Sequence, residues 1–398
     1  MPLDTLSRFV LLPELKLTYL KAARNRQSGL YFVEKRDQSQ PEVCPKCASL
    51  SRSVYDHRFV RVKDEPIRGH GVILMVRKRR LWCKPCQKPF TEYIPGIRKG
   101  KRHTERYLAS IVWACDKFSD LKSVKRAFAC SSHFLYEAYY NHLERKRLER
   151  LNYPWPRIVG IDEHAFRRNP STGRTEFASM IVDYENKRVR ELVEGKTTAE
   201  LKAALSSIPG PENVRYAVTD LCDPFKNYVK QNLPNATLVA DKFHVLRLLT
   251  PSLLRRRQEI SGDRADLRAK KLLLMSAHRL KYSERLAIHR FLERYPEMHE
   301  LYQWKERLHG FYRIRGYDRA VTALTAITDA MAASLLPEIK TLRRTLMKWR
   351  EEILAYFKTG LTNARTEGFN NKAKVVKRRG YGYKSFRNYR LKVLTACT

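Results

Sequence analysis

Hydrophobic residues change their spacing several times along this chain, and each change predicts a different kind of element. The segments SVYDHRFVRV and GVILMVRKRRLWC alternate hydrophobic and polar residues as strands do, so they predict a β-hairpin. Residues 103–150 repeat apolar residues at helical spacing and predict three short helices, with Ser119 and Ser131 as the N-caps of the second and third. Pro154 and Pro156 end this pattern and mark a domain boundary.

The alternation typical of strands returns after this boundary and dominates the middle of the chain. Five segments have the period and composition of strands: 157–166, 176–186, 188–196, 214–220 and 236–241. A helical pattern over residues 197–208 separates the third strand from the fourth. Three strands in a meander, followed by alternating helix and strand, predict a mixed five-stranded sheet with helices on its faces, which is the order of a ribonuclease-H-like fold.

The segment that follows the sheet is helical. Residues 250–345 are rich in Leu, Arg, Lys and Glu and show no strand alternation, so they predict an all-helical insertion. Trp304 in this insertion and Trp349 just after it can either pack in a helical core or stack on unpaired bases. A further helix is predicted to begin near Asn363.

The charge of the chain indicates what kind of partner it binds. Its 398 residues include 79 Lys and Arg against 41 Asp and Glu, which gives a net charge of +38. Because 43% of the residues are hydrophobic, the chain has the material for folded cores and is not a disordered basic tail. In a folded protein, this excess of cations predicts a polyanionic partner, and nucleic acid is the first candidate.

An anionic membrane is the second candidate, and the sequence disfavours it. No apolar run approaches the length of about 18 residues that a spanning helix needs, and no Arg-rich helix has a broad apolar face. The start of the chain, MPLDTLSRFVLLPELKLTYLK, lacks the basic beginning and the cleavage site of a signal peptide. We therefore expect a cytoplasmic protein in a reducing compartment, where paired cysteines indicate a metal rather than disulfides.

Two C-x-x-C pairs predict a zinc site. The pairs are Cys44 with Cys47 and Cys83 with Cys86. The predicted hairpin between them would bring four thiolates to one tetrahedral Zn²⁺ ion, as in a zinc ribbon. The alternative is a redox pair or incidental cysteines. His57 or His70 could replace a ligand, although both suit a solvated hairpin better. The other cysteines are expected to be small core residues, and they are Cys115, Cys130, Cys222 and Cys397.

The three helices predicted over residues 103–150 resemble a helix-turn-helix. In that arrangement the start of the third helix faces the bases and the second helix faces the phosphates. The residues expected near bases are Ser132, His133, Tyr136 and Glu137, and those expected on phosphates are Lys122, Lys125 and Arg126. The alternative is a plain helical bundle that links the neighbouring domains.

Two aspartates stand on predicted strands where a metal site would need them. Asp162 interrupts the otherwise apolar first strand, where a buried carboxylate without a partner charge is costly. Asp220 closes the fourth strand, which lies beside the first in a sheet of this order, so the two carboxylates could bridge divalent cations. The alternative for each is an aspartate that caps a turn. Asp241 is a rival ligand, while Glu163 is expected on the opposite sheet face and Asp223 at the cap of the next helix.

The helix that begins near Asn363 carries one acid among many bases. Its apolar face bears Phe369, Ala373 and Val376, and its polar face bears Glu367, Asn370, Asn371, Lys374 and Arg378. Docked against the strands, Glu367 could complete a three-carboxylate metal site beside cations that hold DNA phosphates. The residues expected to contact DNA here are Arg365, Asn371, Lys374, Lys377, Arg378 and Arg379. The alternative is a surface ion pair between Glu367 and a neighbouring cation.

Four sequence blocks resemble the signature blocks of DDE-type insertion-sequence transposases of the ISL-three family (ISL3). They are VGIDEHAF, AVTDLCDPF, LVADKFHVLRL and NARTEGFNNKAKVVKRRGYGYKSFRNYRL. The resemblance extends to the double C-x-x-C and to the helix-turn-helix, so it covers nearly the whole chain. Carried over position by position, it implies a catalytic triad of Asp162, Asp220 and Glu367.

The resemblance also implies a reaction, its cofactors and its partners. The implied activity is cleavage of the terminal inverted repeats of an insertion sequence and strand transfer into target DNA, with two Mg²⁺ (or Mn²⁺) ions at the triad and one structural Zn²⁺. A homodimer or larger assembly would act on DNA in the prokaryotic cytoplasm, at the nucleoid. His244 is expected to contact the scissile strand or Asp241, or to be a structural histidine. Two alternatives stay open: a structure-selective nuclease on the same fold, and a DNA-binding regulator without catalysis.

These patterns predict the following domain order. An N-terminal segment of residues 1–40 has no assigned role, a zinc-ribbon DNA-binding domain covers 41–100, a helix-turn-helix covers 101–152, a ribonuclease-H-like catalytic domain covers 153–249 and 346–398, and an all-helical insertion covers 250–345.

Overall fold

The structure is a computed structural model and describes residues 12–22, 28–118, 120–261 and 267–397. The chain divides into two compact units, Met1–Arg145 and Lys146–Thr398.

The N-terminal unit is built on an open sheet. Its described strands are β1 (Leu15–Ala22), β2 (Ser28–Lys35), β3 (Glu42–Val43), β4 (Leu50–Ser51), β5 (Val54–Ile67), β6 (His70–Cys83) and β7 (Lys88–Thr91). The main sheet has the order β1-β2-β6-β5, with β7 beside β6, while β3 and β4 form a separate antiparallel pair. The predicted hairpin is confirmed as β5 and β6, whose turn places Arg68 and Gly69 at φ 51° and 79°. Strands β1 and β2 lie in the segment to which the sequence assigned no role.

Three helices follow this sheet as predicted: α1 (Glu105–Lys117), α2 (Leu121–Ala127) and α3 (Ser132–Leu148), the last of which ends just beyond the N-terminal unit. Ser131 is confirmed as the cap of α3, because its hydroxyl accepts from the Phe134 amide over 3.2 Å. The cap of α2 is Asp120, whose carboxylate accepts from the Ser123 amide over 2.9 Å. Ser119, the predicted cap, lies outside the described residues.

A buried carboxylate joins the hairpin to α1 within this unit. Asp64 on β5 is 1% exposed, and its Oδ1 accepts from the Thr104 hydroxyl over 2.6 Å and from Arg106 Nε over 2.8 Å. Thr104 is itself the N-cap of α1. The strand and the helix are therefore held by charge-assisted hydrogen bonds in addition to their apolar contacts.

The C-terminal unit contains the predicted mixed sheet. Its strands are β8 (Ile158–Arg168), β9 (Thr175–Asp183), β10 (Arg188–Glu194), β11 (Tyr216–Thr219) and β12 (Thr237–Ala240). The order is β10-β9-β8-β11-β12, with β8, β9 and β10 antiparallel and with β11 parallel to both β8 and β12. The expectation that the first and fourth predicted strands are neighbours is confirmed.

Helices cover both faces of this sheet. They are α4 (Thr198–Leu205), α5 (Asp223–Asn232), α6 (Lys242–Leu246), α7 (Thr250–Ser261), α8 (Leu267–Leu274), α9 (Tyr282–Glu293), α10 (Pro296–Phe311), α11 (Tyr317–Ala330), α12 (Pro337–Lys348), α13 (Arg350–Thr359), α14 (Ala364–Arg379) and α15 (Phe386–Ala396). One face, with Val159 and Ile161 of β8, packs in a core shared with helices α4 to α13. The other face, with Met180 and Val182 of β9, packs against α14 and α15.

The described part of residues 250–345 is helical, as expected, and its helices share the first of these cores. Trp304 and Trp349 are 6% and 2% exposed and belong to that core, so their interpretation as base-stacking residues is wrong. Both indoles fill the space between helices. None of the helices in the described ranges is long and apolar enough to cross a membrane.

The cysteines outside the two pairs are largely core residues, as expected. Cys115, Cys130 and Cys397 are buried, and Cys222 is half-buried.

Candidate active site

Asp162 and Asp220 meet where β11 ends beside β8. Thr219, the last residue of β11, pairs with Ile161 of β8. The residues that follow them in sequence are Asp220 and Asp162. Asp162 is 9% exposed, and its Oδ1 accepts from the Glu163 amide over 2.8 Å. Burial, and then the negative charge of Asp220 beside it, raise the pKa of Asp162 to about 8. The two carboxylates therefore lie close enough to interact electrostatically.

A glycine on β8 lets α14 lie directly over this strand. A Cβ added at Gly160 would stand 2.1 Å from Thr366 Oγ1 and 2.5 Å from a ring carbon of Tyr184. The Thr366 and Tyr184 hydroxyls are themselves 2.9 Å apart. Only a residue without a side chain fits this approach. Gly160 shares its strand face with Asp162, so the same contact brings α14 to the aspartates.

The N-cap of α14 binds Asp220 and Asp241, the two aspartates that follow β11 and β12. Asn363, the N-cap, donates from Nδ2 to Asp220 Oδ1 over 3.0 Å and from its backbone N–H to Asp241 Oδ1 over 2.8 Å. Asn363 is 3% exposed, so both bonds are shielded from water. The start of α14 is therefore fixed against the ends of β11 and β12.

A second asparagine of α14 holds Asp162. Asn370 Nδ2 donates to Asp162 Oδ2 over 2.7 Å, and Asn370 Oδ1 lies 2.9 Å from His164 Nδ1. Because the amide oxygen can only accept, Nδ1 of His164 carries the proton, and Nε2 accepts from the Tyr389 hydroxyl over 2.7 Å. Burial lowers the pKa of His164 to about 4, which keeps the imidazole neutral for this relay.

Asn370 is the main correction to the predicted helix faces. The sequence predicts Asn370 on the polar face of the helix together with exposed cations, but its side chain is 3% exposed and bound to Asp162 and His164. Helical spacing groups Asn370 with Glu367 and cannot show that this edge of the helix borders a buried acid. The roles of Asn363, His164 and Tyr389 were missed as well. The only signal in the sequence was that asparagines stand four residues before and three residues after Glu367.

Glu367 stands between the two asparagines on the same edge of α14. It follows Asn363 by four residues and precedes Asn370 by three, so the three side chains leave the helix in neighbouring directions. The Glu367 side chain is exposed, and within the described residues its carboxylate makes no ion pair, so nothing there supports the alternative of a surface ion pair. Asp162, Asp220 and Glu367 do not form a cluster in which all ligand atoms lie within 4.8 Å.

Next to these aspartates, the ligand atoms that do lie within 4.8 Å of one another belong to Asp220, Asp241 and His244. His244 Nε2 lies 2.9 Å from Asp220 Oδ2, and Nδ1 lies 2.9 Å from Asp241 Oδ2. Burial works against the imidazolium, but hydrogen bonds to both carboxylates outweigh it and raise the pKa of His244 to about 10. The expected contact between His244 and Asp241 is confirmed, and His244 supplies the cation between these acids.

Asp241, the rival ligand, has its oxygens occupied by protein donors. Oδ2 accepts from both the backbone N–H and Nδ1 of His244, over 3.2 and 2.9 Å, while Oδ1 accepts from the Asn363 amide. It also caps α6. Each oxygen of Asp162 and Asp220 has one such donor, so Asp162 and Asp220 keep more lone pairs for a metal ion.

The two other acids near the site take different places. Glu163 alternates with Asp162 along β8, as expected, and lies 3.3 Å from Lys196 Nζ. The expectation that Asp223 caps a helix is wrong. The N-cap of α5 is Cys222, and the Asp223 carboxylate accepts from Lys348 Nζ over 2.6 Å.

The residues of α14 that are predicted to contact DNA divide into exposed side chains and side chains that bind the sheet. Asn371, Lys374, Arg378 and Arg379 are exposed. Lys377 instead donates to the carbonyl oxygens of Ala165 and Phe166, over 2.7 and 3.2 Å. Arg365 donates to the Tyr184 carbonyl and lies over the Tyr184 ring at 5.2 Å. Lys377 and Arg365 therefore help to hold α14 on the sheet.

In the N-terminal unit, the residues predicted to contact DNA through the helices are all exposed. They are Lys122, Lys125 and Arg126 on α2 and Ser132, His133, Tyr136 and Glu137 on α3. His133 Nδ1 and Glu137 Oε2 lie 3.8 Å apart.

The four paired cysteines of this unit form one cluster. Cys44 and Cys47 lie between β3 and β4, Cys83 ends β6, and Cys86 lies between β6 and β7. Cys47 Sγ is 3.4 Å from Cys83 Sγ, and Cys44 Sγ is 4.0 Å from Cys86 Sγ. Four thiolates around a tetrahedral Zn²⁺ ion stand roughly 3.8 Å apart, given Zn–S bonds of about 2.3 Å. All four ligand atoms lie within 4.8 Å of one another, so the cluster suits zinc.

Each knuckle of this cluster turns in the same way. The residue after its second cysteine has a left-handed backbone, with φ 58° at Ala48 and 51° at Gln87. His57 and His70 are exposed and outside the cluster, as expected for solvated hairpin residues.

Comparison with known proteins finds matches along most of the chain. Residues 159–393, more than half of it, match the ISL3 family model described as transposase, and residues 40–86 match the model described as the zinc-finger of transposase IS204/IS1001/IS1096/IS1165. The transposase for insertion sequence element IS1001 of Bordetella parapertussis is 24% identical over 375 residues, which cover 89% of this chain and 88% of that protein. The transposase for insertion sequence element IS1557 of Mycobacterium tuberculosis is 21% identical over 349 residues, which cover 79% and 76%.

Proposed function

The chain belongs to the ISL3 family of DDE-type insertion-sequence transposases, and we propose that it binds the terminal inverted repeats of its insertion sequence and catalyses Mg²⁺-dependent cleavage and transfer of DNA strands. The proposed catalytic residues are Asp162, Asp220 and Glu367. The proposed catalytic fold is ribonuclease-H-like, which the strand order β10-β9-β8-β11-β12 supports.

One observation carries this proposal. The two asparagines on either side of Glu367 bind the two aspartates, with Asn363 on Asp220 and Asn370 on Asp162. These two bonds, from positions four residues before and three residues after Glu367, support the assignment of Glu367 as the third acid of the site. Glu367 and the aspartates come from distant parts of the sequence and share one side of the sheet.

The donor set suits a divalent cation with a preference for oxygen. Asp162 and Asp220 stand side by side, and their repulsion contributes to the raised pKa of Asp162, a cost that a bound cation would remove. Glu367 adds a carboxylate that no described residue neutralises. The proposed occupancy is two Mg²⁺ or Mn²⁺ ions, and when bound they supply activation of the attacking oxygen and stabilisation of the leaving oxygen.

The protein's own side chains then have three tasks. The relay from Tyr389 through His164 and Asn370 fixes the orientation of Asp162, and Asn363 fixes that of Asp220. His244 holds Asp220 against Asp241. The exposed face of α14 binds phosphates near the acids through Asn371, Lys374, Arg378 and Arg379, which positions the strand without reacting with it. Lys377 and Arg365, proposed as contacts from the sequence, would reach DNA only by leaving their carbonyl partners.

End recognition is proposed for the N-terminal unit. The zinc cluster would stabilise the strand ends around it, and α2 and α3 would act as a helix-turn-helix with α3 in the major groove. The exposure of Ser132, His133 and Tyr136 on α3, and of the three cations on α2, supports this assignment. We further propose that the protein works as a homodimer or larger assembly on DNA, in the cytoplasm at the nucleoid.

The decisive experiment is cleavage and joining of the element's own terminal DNA in Mg²⁺. Wild type should cut the end and join it to target DNA, whereas Glu367→Gln should bind the end with unchanged affinity and do neither. Glu351→Gln is the matched control, because Glu351 is also an exposed acid in the first turn of a helix. If Glu367→Gln matches wild type, the catalytic assignment is wrong.

Two other functions give different products in the same assay. A structure-selective nuclease on the same fold would cut DNA but yield no joined strands. A regulator would bind the ends and leave them intact. The formation of joined products by wild type therefore distinguishes transposition from both.

A further inference from the structure

Two tyrosines in the segment RRGYGY, at the end of α14, take opposite positions. Tyr383 folds back over Gly380, where an added Cβ would lie 2.7 Å from the Tyr383 ring, and its ring centroid is 5.4 Å from that of Tyr389. Tyr381 is 89% exposed, and within the described residues its side chain makes no hydrogen bond and no ring contact. Tyr383 belongs to the fold, while Tyr381 contributes nothing to its packing.

The backbone at Tyr381 is one that glycine normally provides. The Tyr381 amide donates to the Arg378 carbonyl over 3.1 Å, and the Gly382 amide donates to the Lys377 carbonyl over 3.0 Å, which together form a Schellman motif at the end of α14. This motif places Tyr381 at φ 51°, in the left-handed region, where a Cβ crowds the backbone. The chain thus holds a large aromatic side chain at a strained position, where glycine would serve the turn better and where the ring buries nothing.

The surroundings of this tyrosine are strongly basic. The basic residues between positions 372 and 387 are Lys372, Lys374, Lys377, Arg378, Arg379, Lys384 and Arg387, and no residue of this segment is acidic. Arg378, Arg379 and Lys384 are exposed beside Tyr381. An aromatic ring that stands free among cations matches a nucleic acid, which offers phosphates to the cations and base faces to the ring.

The distance from the acids sets where on the DNA this ring would act. Tyr381 lies fourteen positions beyond Glu367, and most of that interval is the helix α14. At 1.5 Å per residue, this corresponds to roughly 20 Å along the helix axis. A strand that follows the basic face of α14 advances about 3.4 Å per nucleotide, so the ring stands about six nucleotides from the phosphate at the acids.

We propose that Tyr381 stacks on an unpaired or unstacked nucleobase of the bound DNA, about six nucleotides from the scissile phosphate. The proposal rests on the proposed function for the position of the scissile phosphate, and it adds a binding contact that the catalytic chemistry does not require. The cations beside Tyr381 hold the backbone of the strand, and the ring holds one base away from its neighbours. The strained turn fixes the ring outside the protein, where only a ligand can cover it.

Tyr381→Gly is the sharpest test, because its effects on the fold and on binding have opposite signs. The substitution removes the left-handed strain, so the melting temperature should rise. The probe is terminal-repeat duplex with 2-aminopurine at single positions around the sixth nucleotide, each opposite an abasic site. Wild type should quench the fluorescence at one of these positions, and Tyr381→Gly should lose the quenching and bind this DNA about ten-fold more weakly. Tyr381→Phe keeps the ring and should retain both.

Tyr282→Ala is the matched control, because Tyr282 is 83% exposed on α9, and it should leave quenching and affinity unchanged. If Tyr381→Gly quenches and binds as wild type does, the proposal is wrong. It is equally wrong if the substitution abolishes self-association of the DNA-free protein in sedimentation, because the ring would then pack on a second copy of the chain. Position-specific quenching by a wild type that never cuts DNA would support the base contact and overturn the proposed function.

Discussion

Asn370 donates a 2.7 Å hydrogen bond to Asp162 from a position three residues beyond Glu367. The bond connects the helix of the third acid to the strand of the first, and it is buried at both ends. The orientation of Asp162 therefore depends on the docking of α14.

Asn370→Ala should raise the Mg²⁺ concentration that cleavage requires while leaving DNA binding intact. The substitution removes the donor to Asp162 Oδ2 and leaves His164 Nδ1 without its acceptor. Side chains that orient metal ligands contribute about 10- to 100-fold in metal affinity or activity. We expect strand cleavage to require 10- to 100-fold more Mg²⁺, measured as a titration of cleavage rate.

Asn371→Ala provides the contrast for that experiment. Asn371 is the next residue on α14 but is exposed on the proposed DNA face. It should weaken end binding in a gel-shift assay and leave the Mg²⁺ midpoint unchanged. An equal shift of the midpoint in both variants would contradict a specific role for Asn370.

Metal binding at Asp162 should release a proton at neutral pH. Burial and Asp220 raise the pKa of Asp162 to about 8, so this carboxyl is largely protonated at pH 7 in the metal-free protein. A cation that binds the carboxylate displaces about one proton, and the affinity for Mg²⁺ should therefore increase as the pH rises towards 8. Calorimetry at pH 7 in buffers of different ionisation enthalpy measures the release, and Asp162→Asn should abolish it.

Gly160→Ala should displace α14 from the sheet. The added methyl group would stand 2.1 Å from Thr366 Oγ1, so the helix must shift. We expect a loss of about 1–3 kcal/mol in the free energy of unfolding, together with reduced cleavage, measured by denaturant titration and by the cleavage assay.

Gly368→Ala is the opposite case on the same helix. Nothing lies within 4 Å of a Cβ built at Gly368, and alanine suits a helix better than glycine. This variant should be more stable by about 0.5–1 kcal/mol. If Gly368→Ala were destabilised as much as Gly160→Ala, the close contact at Gly160 would not explain the loss of stability in Gly160→Ala.

Asp241→Asn should retain part of the cleavage activity, whereas Asp220→Asn should lose all of it. Asp241 accepts from Asn363 with one carboxylate oxygen and twice from His244 with the other. Asparagine has only one acceptor oxygen, so the donor on the side that becomes an amide nitrogen loses its partner. We expect a loss of stability of about 1–3 kcal/mol with residual cutting in Mg²⁺. Complete loss of cutting by a folded Asp241→Asn would make Asp241 a metal ligand.

Replacing Cys44 and Cys47 with serine should release one zinc ion per chain and weaken end binding. The four Sγ atoms are close enough to share one ion, and two ligands cannot hold it. Cys222→Ser is the control, because Cys222 lies outside the cluster. Zinc content is measured by atomic absorption, and an unchanged content in the double variant would contradict the zinc assignment.

The sheet and its aspartates were predictable because they depend on local period and strand order. The alternation around Asp162 identified β8, and the meander followed by a helix placed Asp220 beside it, as the register confirms. The four-cysteine cluster was predictable for a related reason, since the spacing within each pair and the hairpin between the pairs bring the four thiols together. In each case neighbours in sequence determine neighbours in space.

The supporting residues could not be predicted because their partners are distant in sequence. Asn370 contacts Asp162 and His164, and Asn363 contacts Asp220 and Asp241, through a docking that helical period does not encode. The same limit applies to Trp349. Its burial depends on how the helices after β12 pack on the sheet, which no local pattern determines.

The position of α14 and α15 has a consequence for the timing of synthesis. They leave the ribosome after all five strands of the sheet, and they cover the sheet face that Met180, Val182 and Val218 present. Until they dock, the nascent chain lacks Glu367 and exposes an apolar sheet surface. A product truncated before residue 363 would therefore carry the zinc cluster and both aspartates as an incompletely folded protein, open to proteolysis, instead of persisting as an inactive competitor. Completion of the proposed catalytic site and burial of that face are a single event, so the proposed cleavage activity depends on synthesis and docking of both helices.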